Sequence, residues 1–169
     1  MNDRENFETW FAGYIRSLAA DRNAGFLVAM VSFPLLERYL RQKTNAVPKS
    51  PHFVAGLLEL LPELHSIASA REFWNTYRHG LLHNVTMSRE SHGLTHDSPI
   101  VEIESNGKVW LNPVLFSERI LCAIEADFST FQRGSPLPSV NIYGRVPQQP
   151  GGSNYYLGTG SPPAQESKK

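Results

Sequence analysis

The sequence predicts a mainly α-helical fold: an up-and-down bundle of four to five helices, one small β-hairpin before the last helix, and a disordered C-terminal tail. Three observations predict it. Apolar residues recur at helical spacing through most of the first 133 positions. One Asn-Gly step lies between two short runs of alternating apolar residues. After Arg133 the composition turns to Gly, Pro, Ser and Gln, with too little apolar matter to fold alone. The expected organisation is a helical domain over 1–133, with the hairpin at about 100–111, and a flexible tail over 134–169.

The elements follow in order. Phe7, Trp10, Phe11, Tyr14, Ile15 and Leu18 trace one face of a first helix, opened by a capping box of Asn2 and Glu5. That aromatic stripe suits a core, and also suits a partner surface. A second helix is expected from Ala24 to Arg41, with Phe26, Leu27, Met30, Val31, Leu35, Tyr39 and Leu40 on its buried side. Pro34 removes a backbone donor and is expected to kink or split it. Its basic end, Glu37 to Lys43, complements the helix dipole; the same residues could form a patch for an RNA backbone. Thr44 to Lys49 reads as a loop. Ser50-Pro51 then starts a short third helix carrying Phe53, Leu57, Leu58 and Leu61, ended at Pro62. His52 and His65 stand alone, as surface or structural residues.

Ser69 and Glu72 are the expected capping box of a fourth helix, with Phe73, Tyr77 and Leu81 facing the core. Ser88 to Pro99 reads as a polar loop containing His92 and His96. Residues 100–104 and 108–111 flank Ser105-Asn106-Gly107 as a hairpin. Asn112-Pro113 caps a last helix with Phe116, Ile120, Ile124, Phe128 and Phe131 inside.

The bulk numbers narrow the function. Sixteen basic and sixteen acidic residues give a net charge of zero, so no overall basic field draws the chain to nucleic acid. Any such contact must come from a local patch or a partner chain. Cys122 is the one cysteine; it is expected as a small buried hydrophobe in a reducing compartment. The polar N-terminus has no secretory core, and the apolar run from Ala24 to Leu36 is too short for a bilayer. A cytoplasmic protein with no membrane partner is the expectation.

Chemistry concentrates in Tyr77-Arg78-His79-Gly80-Leu81-Leu82-His83-Asn84. A guanidinium is a permanent, fork-shaped phosphate ligand. An imidazole titrates near neutrality and can move protons. On an α-helix Arg78 and His83 differ by roughly 140°, so Arg78 needs its long stem, or a second copy of the chain, to share a site with His83. His79 and His83 are also one turn apart, the spacing of a metal pair. His92, His96 and Asp97 could complete such a site.

The string YRHGLLHN resembles the motif of the HEPN superfamily: an arginine, a polar residue, small and aliphatic residues, then a histidine. The aromatic first helix, the motif's place after three earlier helices, and the closing helix are similar too, over roughly residues 5 to 132. The resemblance implies a homodimer with the two Arg78–His83 motifs facing each other. It implies a metal-independent RNA endonuclease of a toxin–antitoxin or phage-defence system, with no cofactor, paired with a nucleotidyltransferase-like antitoxin protein. By position Arg78 would bind the phosphate, His83 would be the acid–base group, and His79 would support it. Some members are instead non-catalytic nucleotide-binding or protein-interaction modules. Two features depart from the family: Val85 stands where some toxic members carry a modified tyrosine, and the hairpin is not general.

Overall fold

The computed structural model describes residues 2–84, 92–97 and 99–134, with only the backbone at 83 and 84. The expected tail beyond Gly134 lies outside the described residues, as does Val85. The architecture is mainly helical, with a small three-stranded sheet inserted before the last helices.

Helix α1 covers residues 3–19, in the sequence Asp3–Phe7, a π-helical segment Glu8–Ala12, and Gly13–Ala19. Its capping box is formed: Glu5 N donates to Asn2 Oδ1 at 2.9 Å, and Asn2 N donates to Glu5 Oε2 at 2.8 Å. The aromatic stripe divides. Phe7 and Ile15 are buried, whereas Tyr14 is half-exposed and Trp10, Phe11 and Leu18 are partly covered.

Helix α2 (Gly25–Thr44) runs unbroken through Pro34. It is the central element, packing against α1 and every later helix. Its buried face agrees with the expected one in part: Leu35, Tyr39 and Leu40 are inside, and Phe26 and Met30 pack against the core. Leu27 and Val31 are exposed, however, and Val28, Ala29, Ser32, Phe33 and Leu36 are buried instead. The first half of this helix is apolar around most of its circumference, so periodicity alone could not select a face. Buried Ser32 satisfies its hydroxyl by donating to Val28 O at 2.7 Å.

Helix α3 (Pro51–Leu60) is capped by Ser50 and gives way to a 3-10 turn at Pro62–Leu64. His52 and His65 are exposed. Helix α4 covers residues 67–84: α-helical over Ile67–Phe73, then π-helical over Trp74–Asn84. Its cap is Ser66, not Ser69. Ser66 Oγ accepts from Ser69 N at 3.1 Å, so Ser69 sits inside the first turn. Either serine could cap by chemistry; the extended backbone of Ser66 decides.

The hairpin gains a third strand. β1 (His92–Leu94) lies in the segment expected as a polar loop. It pairs in parallel with β3 (Val109–Leu111), which pairs antiparallel with β2 (Val101–Ile103), giving the order β1-β3-β2. Gly107 closes the hairpin turn at φ +82°, and Gly107 N donates to Glu104 O at 2.8 Å. Three residues without clear alternation gave β1 no signal of its own; β3 supplies the edge it pairs with.

The expected last helix is two, α5 (Pro113–Ala126) and α6 (Phe128–Gln132), separated at Asp127, where φ is −128° and ψ is 51°. Asn112 caps α5 through Oδ1, accepting from Val114 N and Leu115 N at 3.1 Å each. Cys122 is exposed on α5, contrary to expectation. It falls outside the stripe of Phe116, Ile120 and Ile124 that faces the core.

Two aromatic clusters organise the core. Phe33 is the hub of one, with ring centroids 4.8 Å from Phe116, 5.9 Å from Phe73 and 6.0 Å from Trp74. Phe7 is the hub of the other, 5.3 Å from Phe131 and 5.7 Å from Phe128, and it joins the two ends of the described chain.

Candidate functional site

The motif helix is held from behind by Tyr77. This residue is fully buried, and its Oη lies 2.9 Å from the carbonyl oxygens of both Gly93 in β1 and Val109 in β3. Its ring meets that of His92 edge-on at 5.5 Å. Burial pushes the phenol well above the usual tyrosine range, the bond to Gly93 offsetting part of the shift. It therefore stays a hydrogen-bond donor. The small sheet thus positions the residue next to Arg78.

Arg78 turns the other way, toward α2. Its Nε and Nη2 both donate to Glu37 Oε2 at 2.9 Å. The pair is half-buried, with side-chain exposures of 29% for Arg78 and 17% for Glu37. Arg78 is therefore neither locked in the interior nor loose on the surface. It lines a half-open groove of about 400 Å³ with Leu82 from α4, and Glu37, Arg38, Arg41 and Gln42 from α2. Pro34 and Gly134 complete its lining. Among the described residues that line it, one carboxylate faces three guanidiniums, in a chain whose net charge is zero.

Arg38 is built into the groove wall. Its guanidinium carbon lies 4.7 Å over the Phe131 ring, and Nε donates to Phe131 O at 3.2 Å. Burial lowers its pKa, with Asp3 acting in the opposite direction; a guanidinium so placed is still a cation. Arg41 lies exposed at the rim.

Of the expected site residues, Arg78 lies in the groove. His79 is exposed on the same helix and is not among the groove-lining residues. The His83 side chain lies outside the described residues. Its backbone position still carries information. A π-helix closes its hydrogen bonds from i to i+5. Positions 78 and 83 therefore come closer to one face than the α-helical separation expected for them. His92 is buried against Tyr77 and His96 is exposed. Among the described residues, no group of three or more His, Cys, Asp or Glu is placed to hold a metal ion.

The sequence reading offered Glu37 to Lys43 as a patch for an RNA backbone but did not join Glu37, Arg38, Arg41 and Gln42 to Arg78 in one site. Their signal was present: Pro34, Arg38 and Arg41 repeat at i, i+4 and i+7, and Gln42 follows Arg38 by four, so all share one helix face. What was hidden is that this face meets α4.

A second groove, also about 400 Å³, lies between α1 and α2 and is mostly apolar. Trp10, Phe11, Tyr14, Met30 and Val31 line it, and Pro34 borders both grooves. No helix among the described residues is long and apolar enough to cross a membrane. The chain matches no protein-family model, no curated protein and no solved structure.

Proposed function

We propose that the chain is a metal-independent RNA endonuclease of the HEPN type, acting in the cytoplasm. The observation that carries this reading is the placement of Arg78: oriented by Glu37, partly exposed, and in a groove with two more arginines. In the reaction the ribose 2′-oxygen attacks the adjacent phosphorus, and the bond from phosphorus to the 5′-oxygen breaks. His83 takes the 2′-hydroxyl proton, and a protonated imidazole gives one to the leaving 5′-oxygen. Arg78 holds the phosphate and stabilises its growing charge. The products are a 2′,3′-cyclic phosphate and a 5′-hydroxyl. His79 supports His83 from the same helix.

The π-helical backbone supports a shared site, since it reduces the angular separation of positions 78 and 83. A homodimer would supply a second imidazole. The apolar α1/α2 groove, which shares Pro34 with the basic groove, supports docking of a second copy there. The same reading includes a nucleotidyltransferase-like antitoxin protein as partner.

The test is cleavage of a labelled RNA in chelator by wild type, Arg78→Ala and His83→Ala. Cyclic-phosphate products that vanish in both variants support the reading; cleavage that survives both substitutions sinks it. Tyr14→Lys is expected to reduce the mass in light scattering from two chains to one.

The Glu37–Arg78 pair favours a second reading, a non-catalytic module that binds a nucleotide or a protein, because it already neutralises the motif arginine. That module shows no turnover, but a nucleotide ligand raises its Tm.

A further inference from the structure

The half of the groove built by α2 has no role in the chemistry just described, which needs one guanidinium. We propose that Arg38, Arg41 and Gln42 form a second phosphate subsite, so that the ligand is a single-stranded oligoribonucleotide held by successive phosphates. The inference rests on reading Arg78 as the ligand of the scissile phosphate.

Four observations carry it. Arg38 and Arg41 are three residues apart, and Arg38 and Gln42 four apart, so one face of α2 presents all three to the groove. Among the described lining residues the one carboxylate, Glu37, pairs with Arg78, while Arg38 and Arg41 bring two more guanidiniums to the α2 half. The Arg38 guanidinium is stacked on Phe131 and bonded to its carbonyl, so little further freedom is lost when it meets a phosphate. Gly134 packs against that guanidinium on another side and leaves it just enough room: a Cβ there would come within 3.1 Å of the guanidinium carbon.

Size and shape select the ligand class. About 400 Å³ is within the roughly 300–1,000 Å³ of small-ligand sites, and exceeds what one phosphate fills. The groove is half-open, which lets a chain continue past its ends. A polyphosphate nucleotide would also satisfy the charges, but it offers no 2′-hydroxyl next to a phosphodiester.

The experiment is fluorescence anisotropy with a 5′-labelled mixed-sequence 12-mer oligoribonucleotide, in chelator, over a salt series. Arg41 is exposed, so Arg41→Ala keeps the fold. Gly134→Val is the second variant, chosen because a side chain there crowds the Arg38 guanidinium and must shift it. Each is expected to weaken the 12-mer roughly fivefold at moderate salt and to reduce the salt slope by about 0.7. A nucleoside triphosphate is expected to compete only at much higher concentration, and a nucleoside monophosphate to bind Arg41→Ala as it binds wild type.

Unchanged 12-mer affinity and slope in both variants overturn the subsite, as does a failure of wild type to bind the 12-mer. A triphosphate that displaces the 12-mer at equal concentration also overturns it, in favour of a nucleotide site. Cleavage is scored separately. Arg41-dependent binding without cleavage leaves the subsite standing and removes the nuclease. Arg41-independent binding with cleavage does the reverse.

Discussion

Replacing Tyr77 by Phe tests how the sheet holds the motif helix. The substitution keeps the ring, and with it the contacts to Phe73 at 4.9 Å and Phe33 at 6.5 Å, and removes only the hydroxyl. Two carbonyl oxygens, on Gly93 and Val109, then lose a donor at 2.9 Å in a fully buried place. A buried hydrogen bond lost in this way costs about 1–2 kcal/mol. For a domain of this size, Tm is expected to fall by roughly 3–8 °C.

The pH dependence sharpens the test. An unfolded tyrosine titrates near about 10, and burial raises the folded value above that. Above pH ~10 the unfolded chain loses a proton that the folded chain keeps, so this group's stability contribution is complete below pH ~10 and declines as pH rises through the folded value. The decline is at most about 1.4 kcal/mol per pH unit. Tyr39, also raised by burial, titrates in both proteins and cancels in the difference. Urea unfolding followed by circular dichroism at pH 8 and pH 11 is the assay. Wild type is expected to exceed Tyr77→Phe by about 1–2 kcal/mol at pH 8 and by about 1 kcal/mol less at pH 11. A gap that does not change between the two pH values would refute the argument, since the hydroxyl would then not be the group at work.

Phe116→Ala empties the centre of the Phe33 cluster and is expected to cost about 3–5 kcal/mol in denaturant unfolding. Glu37→Gln removes the charge that orients Arg78; RNA cleavage should fall by about one order of magnitude while RNA binding tightens, because the groove becomes more positive. Equal loss of both would point to misfolding instead. Ser66→Ala is expected to cost about 1 kcal/mol in thermal unfolding by removing the α4 cap, more than Ser69→Ala, which keeps it. Cys122 is exposed, yet partial desolvation and the carboxylates of Glu118 and Glu125 raise its thiol pKa. The folded protein should react completely with a thiol reagent, but more slowly at pH 8 than a free cysteine does.

Local signals were enough for much of this architecture. Capping chemistry at Asn2, Ser50 and Asn112 needs only neighbouring residues, and all three caps formed as read. The Asn106-Gly107 turn likewise carries its own backbone requirement. The mainly helical class followed from apolar spacing alone.

Orientation and company needed the folded chain. A helix that is apolar on most sides does not say which side is buried, so Val28 and Phe33 went inside while Leu27 and Val31 stayed out only because α2 is packed by neighbours on several faces. Strand β1 exists because β3 offers it an edge. The sequence by itself determined that Arg78 is a permanent cation near the end of a helix. That Glu37 pairs with it, and that Arg38 and Arg41 share its groove, was decided by the docking of α4 against α2. Charges 41 residues apart in sequence carry no record of each other until packing brings their helices within hydrogen-bond distance.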